Sequence, residues 1–177
     1  MERGFGVGHA RGKWREPGAG ASGRRCRARH AALGWADHLG EPGLVVLDAS
    51  AHLPDAGRNP AAEFAEAHIP GARFLDLPAL VDRDSPVPGA LPSRVQFVRH
   101  MALLGVAQSA QVVLYDDSAV KTAARAWFIC RLHGLRQVAV LDGGLGKWAG
   151  EGRPLEAGAS RSEPTPFVSE RGTGTVR

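Results

Sequence analysis

One stretch constrains the fold more than any other: Val112-Val113-Leu114-Tyr115, then Asp116-Asp117-Ser118, then Thr122-Ala123-Ala124-Arg125-Ala126-Trp127. The apolar run with its β-branched residues suits a strand covered on both faces. The polar loop is short. Asp117 or Ser118 stands where it caps a following helix, on which Ala123, Trp127 and Cys130 share a stripe. In α/β sheets, ligands and chemistry collect where a strand's carboxyl end meets the next helix. The residue at that point is Asp116.

The same alternation runs through the rest of the chain. Residues 44–47 are predicted as a first strand, with Asp48-Ala49-Ser50 at its carboxyl end. Asn59-Pro60 opens a helix, cap then proline, that ends near His68. Pro70 pushes Ile69 out of the helical region, and Pro70-Gly71 fits the centre of a type II turn. His68 reads as a side chain bonding the last carbonyls of that helix. Residues 73–77 follow as a short strand. Residues 78–92, with Pro78, Pro86, Pro88, Gly89 and Pro92, form a long connection. Ser93 and Gln96 have capping-box spacing, and Phe97, Val98, Met101 and Leu104 make a helical stripe closed by Gly105. The helix after Asp116 ends at Gly134. Residues 137–141 give another strand, followed by Asp142-Gly143-Gly144 and a short helix carrying Trp148. A helix over residues 31–39, closed by Gly40, precedes all of these. The fold class is therefore α/β, a mainly parallel central sheet with helices on both faces.

The bounds agree with one soluble globular domain: 177 residues, 44% hydrophobic and 23% charged. No apolar run approaches the roughly 20 residues of a membrane helix. Cys26 and Cys130 are too few for a disulfide framework or a cysteine zinc site, and neither a metal nor a cofactor is expected. Residues 1–30 carry eight basic groups against Glu2 and Glu16, a balance of +6. With a total of +4, the remaining residues sum to −2. A slightly acidic body argues against nucleic acid as a partner. The organisation expected is a disordered basic arm over 1–30, a folded unit over 31–155, and a linker or ragged end over 156–177. The arm reads as a non-native extension or as a transit peptide, so the expected location is cytoplasmic, or mitochondrial in the second case.

Several segments then act together. Leu44-Val45-Val46-Leu47-Asp48-Ala49-Ser50, Phe64-Ala65-Glu66-Ala67-His68-Ile69-Pro70-Gly71-Ala72, and Leu141-Asp142-Gly143-Gly144 with Trp148 and Gly152-Arg153-Pro154-Leu155 resemble a rhodanese-like domain. With Tyr115-Asp116-Asp117-Ser118 and Ala123-Ala124-Arg125-Ala126-Trp127, the resemblance is closest to the N-terminal domain of tandem thiosulfate and 3-mercaptopyruvate sulfurtransferases. His68, Pro70, Gly71, Asp142, Gly143, Gly144 and Trp148 belong to its structural motifs. The resemblance implies a division of labour. In the tandem enzymes the C-terminal domain carries a cysteine at a strand end, where loop N–H groups and a helix N-terminus favour the thiolate. That thiolate takes sulfur from a donor as a persulfide and passes it to a thiol or cyanide. The N-terminal domain has the same fold without the cysteine.

Here Asp116 occupies the position matching that cysteine, and Asp117, Ser118, Ala119, Val120 and Lys121 match the rest of the loop. Lys121 is a candidate charge partner for Asp116. Cys130 falls inside the helix and Cys26 in the arm, so no catalytic residue is assigned and the chain alone is expected to be inactive. In mercaptopyruvate-type members the N-terminal domain also lends an acid and a histidine to the shared cleft. Those positions match Pro78 and Gly89, neither of which titrates. Three functions remain open at this point. The chain is half of a sulfurtransferase whose partner, a catalytic rhodanese domain, is missing from it. Alternatively it is a free-standing, non-catalytic binding or regulatory module. The third reading makes Asp116 an acyl-phosphate acceptor, and it lacks an obvious carboxylate cluster for Mg²⁺.

Overall fold

Two strands at the centre are apolar on both faces, and that fixes the layering. The computed structural model describes residues 38–160 and 162–169. β1 (Leu44–Asp48) and β3 (Gln111–Tyr115) run parallel, paired from Leu44–Gln111 to Asp48–Tyr115. β2 (Arg73–Phe74) lies outside β1 and β4 (Val138–Val140) outside β3, giving the order β2-β1-β3-β4 with every pairing parallel. Side chains alternate across the sheet. Val45, Leu47, Val112 and Leu114 face one core, with Phe97 and Met101 of α2 (Arg94–Leu103) and Ala126 and Ile129 of α3 (Thr122–Leu132). Val46, Val113 and Tyr115 face the other, with Phe64 of α1 (Pro60–Glu66) and Trp148 of α4 (Gly144–Gly150). The structure is an α/β fold, and among the described residues it has a four-stranded parallel sheet and four α-helices, two on each face.

Local chemistry explains the helix starts. The Asn59 side chain accepts from the Ala61 and Ala62 amides ahead of α1, and Ser93 and Gln96 form a reciprocal capping box on α2. α1 ends at Glu66, and His68 Nδ1 donates to Phe64 O at 2.7 Å while its ring stacks on Phe64 at 4.0 Å. The Pro70-Gly71 turn closes with Ala72 N–H on Ile69 O at 2.9 Å, and Gly71 takes φ +72°.

Some expectations change. β2 stops at Phe74, because Asp76 caps a 3-10 turn over Leu77–Ala79 that redirects the chain. The buried stripe of α3 is Ala123, Ala126, Ile129 and Cys130. Trp127 stands at its margin, 37% exposed, with its indole N–H on Val138 O at 3.1 Å. Ala126, 1% exposed, lies within that stripe.

Packing also runs past Leu155, into the stretch expected as a linker or ragged end. Glu156 forms an antiparallel bridge with His68, through two backbone bonds of 2.8 Å. Gly158 N–H reaches Ala65 O, Ser162 Oγ reaches Leu103 O, and Thr165 N–H reaches Ala102 O. These carbonyls sit in the last turns of α1 and α2. Phe167 enters the α2 core, 5% exposed and edge-on to Phe97 at 5.6 Å. Ser169 Oγ donates to His133 O, and Arg94 binds Ser169 O. The expected arm over 1–30, Cys26, most of the helix over 31–39 and residues 170–177 lie outside the described residues. Among the described residues no helix is long and apolar enough to cross a membrane.

Candidate functional site

The carboxyl ends of β1 and β3 lie side by side, joined by Ala49 N–H on Tyr115 O at 2.8 Å. Asp116 is the first residue beyond β3 and is 6% exposed. Its Oδ2 accepts the Ala123 N–H at 2.9 Å and the Ser118 hydroxyl at 2.9 Å. Ser118 Oγ in turn accepts the Thr122 N–H at 3.0 Å. The first free amides of α3 are therefore taken by two side chains of the loop itself. Of the two residues expected to cap this helix, Ser118 serves and Asp117 does not, and Asp116 supplies a further acceptor. Thr122, which sequence reasoning passed over, ties the loop to β1. Its hydroxyl donates to Ala49 O at 2.7 Å and accepts the Ala51 N–H at 3.2 Å.

Asp117 turns outward. Its N–H donates to Ser50 Oγ at 2.9 Å, and its carboxylate meets Arg58 at 3.1 Å. Arg58 also grips Glu63 through Nε and Nη2, at 2.7 and 3.0 Å, and His52 Nε2 donates to Glu63 at 2.7 Å. The Arg58 guanidinium, with His52 behind it, holds the Glu63 carboxyl below the usual carboxylate range. Ala119 and Val120 are exposed at the loop tip. Lys121 adopts a left-handed backbone, φ +54°, at the N-cap of α3. That conformation is uncommon for a side-chain-bearing residue. Among the described residues it makes no ion pair with Asp116, whose carboxylate is already held by the Ser118 hydroxyl and the Ala123 amide.

Beneath the loop, Asp48 is 2% exposed and accepts the Ser50 N–H at 2.8 Å. Burial pushes its carboxyl upward, against the opposing hydrogen bonds of Ser50 and Tyr115. The Tyr115 phenol is also pushed up, by burial and then by the Asp48 charge, and its oxygen receives the Ile69 N–H at 3.4 Å.

The Asp142-Gly143-Gly144 motif acts on this same loop. Gly143 and Gly144 have φ of +80° and +57°, and Leu145 N–H donates to Asp116 O at 3.1 Å. A Cβ on Gly144 would stand 2.1 Å from Asp116 O. The glycine is required because the start of α4 docks directly on the loop backbone. Trp148 of α4, 1% exposed, donates its indole N–H to Pro154 O at 2.8 Å, which holds the Gly152-Arg153-Pro154 turn. Lys147 pairs with Asp142 at 2.8 Å.

A family model described as a rhodanese-like domain matches residues 35–151. The chain belongs to the rhodanese-like domain family. It is 40% identical over 157 residues to human 3-mercaptopyruvate sulfurtransferase, covering 85% of this chain and 52% of that protein. It is 42% identical over 123 residues to thiosulfate/3-mercaptopyruvate sulfurtransferase 1, mitochondrial, of Arabidopsis thaliana, covering 70% of this chain and 32% of the relative. The crystal structure of SseA from Escherichia coli, described among 3-mercaptopyruvate sulfotransferases, superposes with a TM-score of 0.77 at 35% identity, over 82% of this chain and 56% of that one. This rhodanese-like chain thus spans from a third to about half the length of these curated relatives.

The remaining candidate positions of the rhodanese-like domain can now be placed. Cys130 is 1% exposed, deep in α3, and burial pushes its thiol up to about 12. Pro78 sits exposed in the 3-10 turn after β2, and Gly89 offers its carbonyl to Arg125 at 2.6 Å. The described residues contain no group of three His, Cys, Asp or Glu able to hold a metal ion. Asp116 Oδ2 is committed to the α3 amide and the Ser118 hydroxyl.

Asp48 gives this site a pH signature. Its folded pKa lies above the ordinary value of 3.8, so the native state binds the proton more tightly than the unfolded chain. Its contribution to stability is therefore greatest below 3.8 and declines as pH rises through the folded pKa. Asp48→Asn removes this titration and keeps an acceptor for Ser50. Urea unfolding between acid and neutral pH is expected to show the variant gaining on the parent as pH rises. A stability difference that stays constant with pH would exclude Asp48 as the source.

Proposed function

We propose that this rhodanese-like domain is the non-catalytic, N-terminal half of a sulfurtransferase of the thiosulfate/3-mercaptopyruvate type, and that it works beside a catalytic rhodanese domain. The observation that carries the reading is Asp116. The family's chemistry needs a sulfur at this strand end, able to take a sulfane sulfur and release it to an acceptor. The loop presents a carboxylate instead, and one of its oxygens is held by the Ser118 hydroxyl and the Ala123 amide. Residues 115–122 contain no sulfur atom. The thiol of Cys130 is closed off from donor and acceptor alike and is held protonated at neutral pH. The relatives' greater length supports a second half that supplies the thiolate. What this domain contributes is a rigid strand-end surface, locked by Thr122, Ser50 and the Arg58–Asp117 pair.

The test is sulfur transfer from thiosulfate or 3-mercaptopyruvate to cyanide or a dithiol. The chain alone is expected to show no turnover, and Cys130→Ser is expected to leave that result unchanged. Turnover that vanishes with Cys130→Ser would make Cys130 the sulfur carrier and overturn the proposal. Turnover that survives the loss of both Cys26 and Cys130 would overturn it too.

A further inference from the structure

Charge is divided unevenly between the two faces of the sheet. On the α1 and α4 side the bases are paired: Arg58 with Glu63 and Asp117, Lys147 with Asp142, and Arg153 with Glu151. The α3 and β4 side differs. Residues 118–141 hold Lys121, Arg125, Arg131 and Arg136 and no acid. Among the described residues, none of these four makes an ion pair. Arg125 donates to Gly89 O and Arg131 to Arg136 O, each at 2.6 Å. A guanidinium has five N–H donors, so each keeps most of its fork while a carbonyl fixes its place. Helix stability does not explain the pattern: Lys121 stands at the N-terminal end of α3, where the dipole disfavours a cation. Residues three and four apart on a helix are neighbours. Lys121, Arg125 and Phe128 therefore form one line along α3, and Ala124, Phe128 and Arg131 the next. Phe128 belongs to both lines and is 40% exposed, with Trp127 and Val140 toward β4 at 37% and 43%.

We propose that the α3–β4 face docks an acidic protein surface, one that sets carboxylates around an apolar side chain seated on Phe128 and Trp127. Charge complementarity names the partner. The face offers four cations and no anion. The stretches outside the described residues do not supply the missing acid: residues 1–37 and 170–177 add ten bases against Glu2, Glu16, Asp37 and Glu170. The composition favours a protein over a phosphate backbone. Three of the four cations are Arg, set beside Trp and Phe, the residue types enriched where proteins meet. A nucleic acid draws its affinity from many phosphate contacts, and four cations around an aromatic centre offer few. Because Arg125 and Arg131 are already held by carbonyls, they lose little freedom on binding. The slightly acidic total beyond residue 30 hides this face, because the acids lie elsewhere on the domain. This inference is independent of the sulfurtransferase reading.

Fluorescence anisotropy of a labelled peptide built from Glu, Asp, Leu and Phe, titrated with the full chain at about 0.15 M salt, tests it. The chain is expected to bind this peptide and to ignore its analogue with Gln and Asn for the acids. Lys121→Glu and Arg136→Glu stand at opposite ends of the face and break no side-chain bond among the described residues. Each is expected to weaken binding roughly fivefold, and the two together by more than about tenfold. Phe128→Ser is expected to weaken it roughly fivefold with the salt dependence unchanged. Lys147→Glu makes the same charge change on the α4 side and is expected to stay within about twofold of the parent. A labelled oligodeoxythymidylate of equal charge is the competing polyanion. If it binds as tightly and the same substitutions release it, the face is a nucleic-acid surface and the proposal falls. Absence of peptide binding overturns it. So does binding indifferent to Lys121→Glu, Arg136→Glu and Phe128→Ser, which would place the contact on bases elsewhere, such as those of residues 1–30.

Discussion

Replacing Gly144 by valine is expected to cost the domain about 3 kcal/mol or more. Two penalties combine. A side-chain-bearing residue at φ +57° pays about 1–2 kcal/mol for the left-handed backbone. The new Cβ also meets Asp116 O at 2.1 Å, and a backbone atom cannot swing aside as a side-chain tip does. Overpacking of this kind costs about 1–3 kcal/mol. The melting temperature should therefore fall by roughly 10 °C or more. Gly150→Ala in the same helix is the control. Nothing lies within 4 Å of its added Cβ, so it should be neutral or stabilising by up to about 1 kcal/mol. Thermal unfolding followed by circular dichroism compares the two. A Gly144→Val variant that melts with the Gly150→Ala variant would show that α4 does not rest on the strand-end loop.

Phe167→Ala is expected to cost about 3 kcal/mol, in the range for a buried aromatic emptied to alanine. Its ring is 5% exposed and meets Phe97 edge-on at 5.6 Å, inside the core shared by α2 and α3. The neighbouring Val168 is 67% exposed, and Val168→Ala should stay within about 0.5 kcal/mol of the parent. The pair separates packing from composition, since both residues lie in the same Pro- and Thr-rich stretch. Equal, small effects in denaturant unfolding would mean that residues 162–169 contribute nothing to the folded body.

These two residues mark different limits of sequence reading. The central strands were legible because Val45-Val46-Leu47 and Val112-Val113-Leu114 are apolar on both faces, which only a covered sheet explains. Asn59 and the Ser93–Gln96 box were legible because capping chemistry is local, within three residues of its target. So was His68, whose partner is Phe64 four residues away. Phe167 was not, because a single aromatic in an irregular segment has no period to declare a buried face. Trp127 was misplaced because the position of a helix's buried stripe depends on which side chain lets it approach the sheet. At the strand-end loop, Asp116 was found by position, and its environment was hidden. Lys121 takes a backbone conformation that composition would have given to glycine, and that turn decides which side chains reach the α3 amides. Asp117 meets Arg58 across 59 residues of chain, and Thr122 meets Ala49 across 73. Contacts of that span follow from the topology, which must be known first.

The start of α4 meets Asp116 chiefly through its carbonyl, which accepts the Leu145 N–H at 3.1 Å and stands nearest to a Cβ built on Gly144. The docking of α4 therefore rests on the backbone at position 116, an oxygen that every residue type carries. The scaffold carries a fixed backbone socket. Whatever residue is installed there meets the same glycine through its backbone, while a new side chain must replace the acceptor that Asp116 gives to the Ala123 amide and the Ser118 hydroxyl.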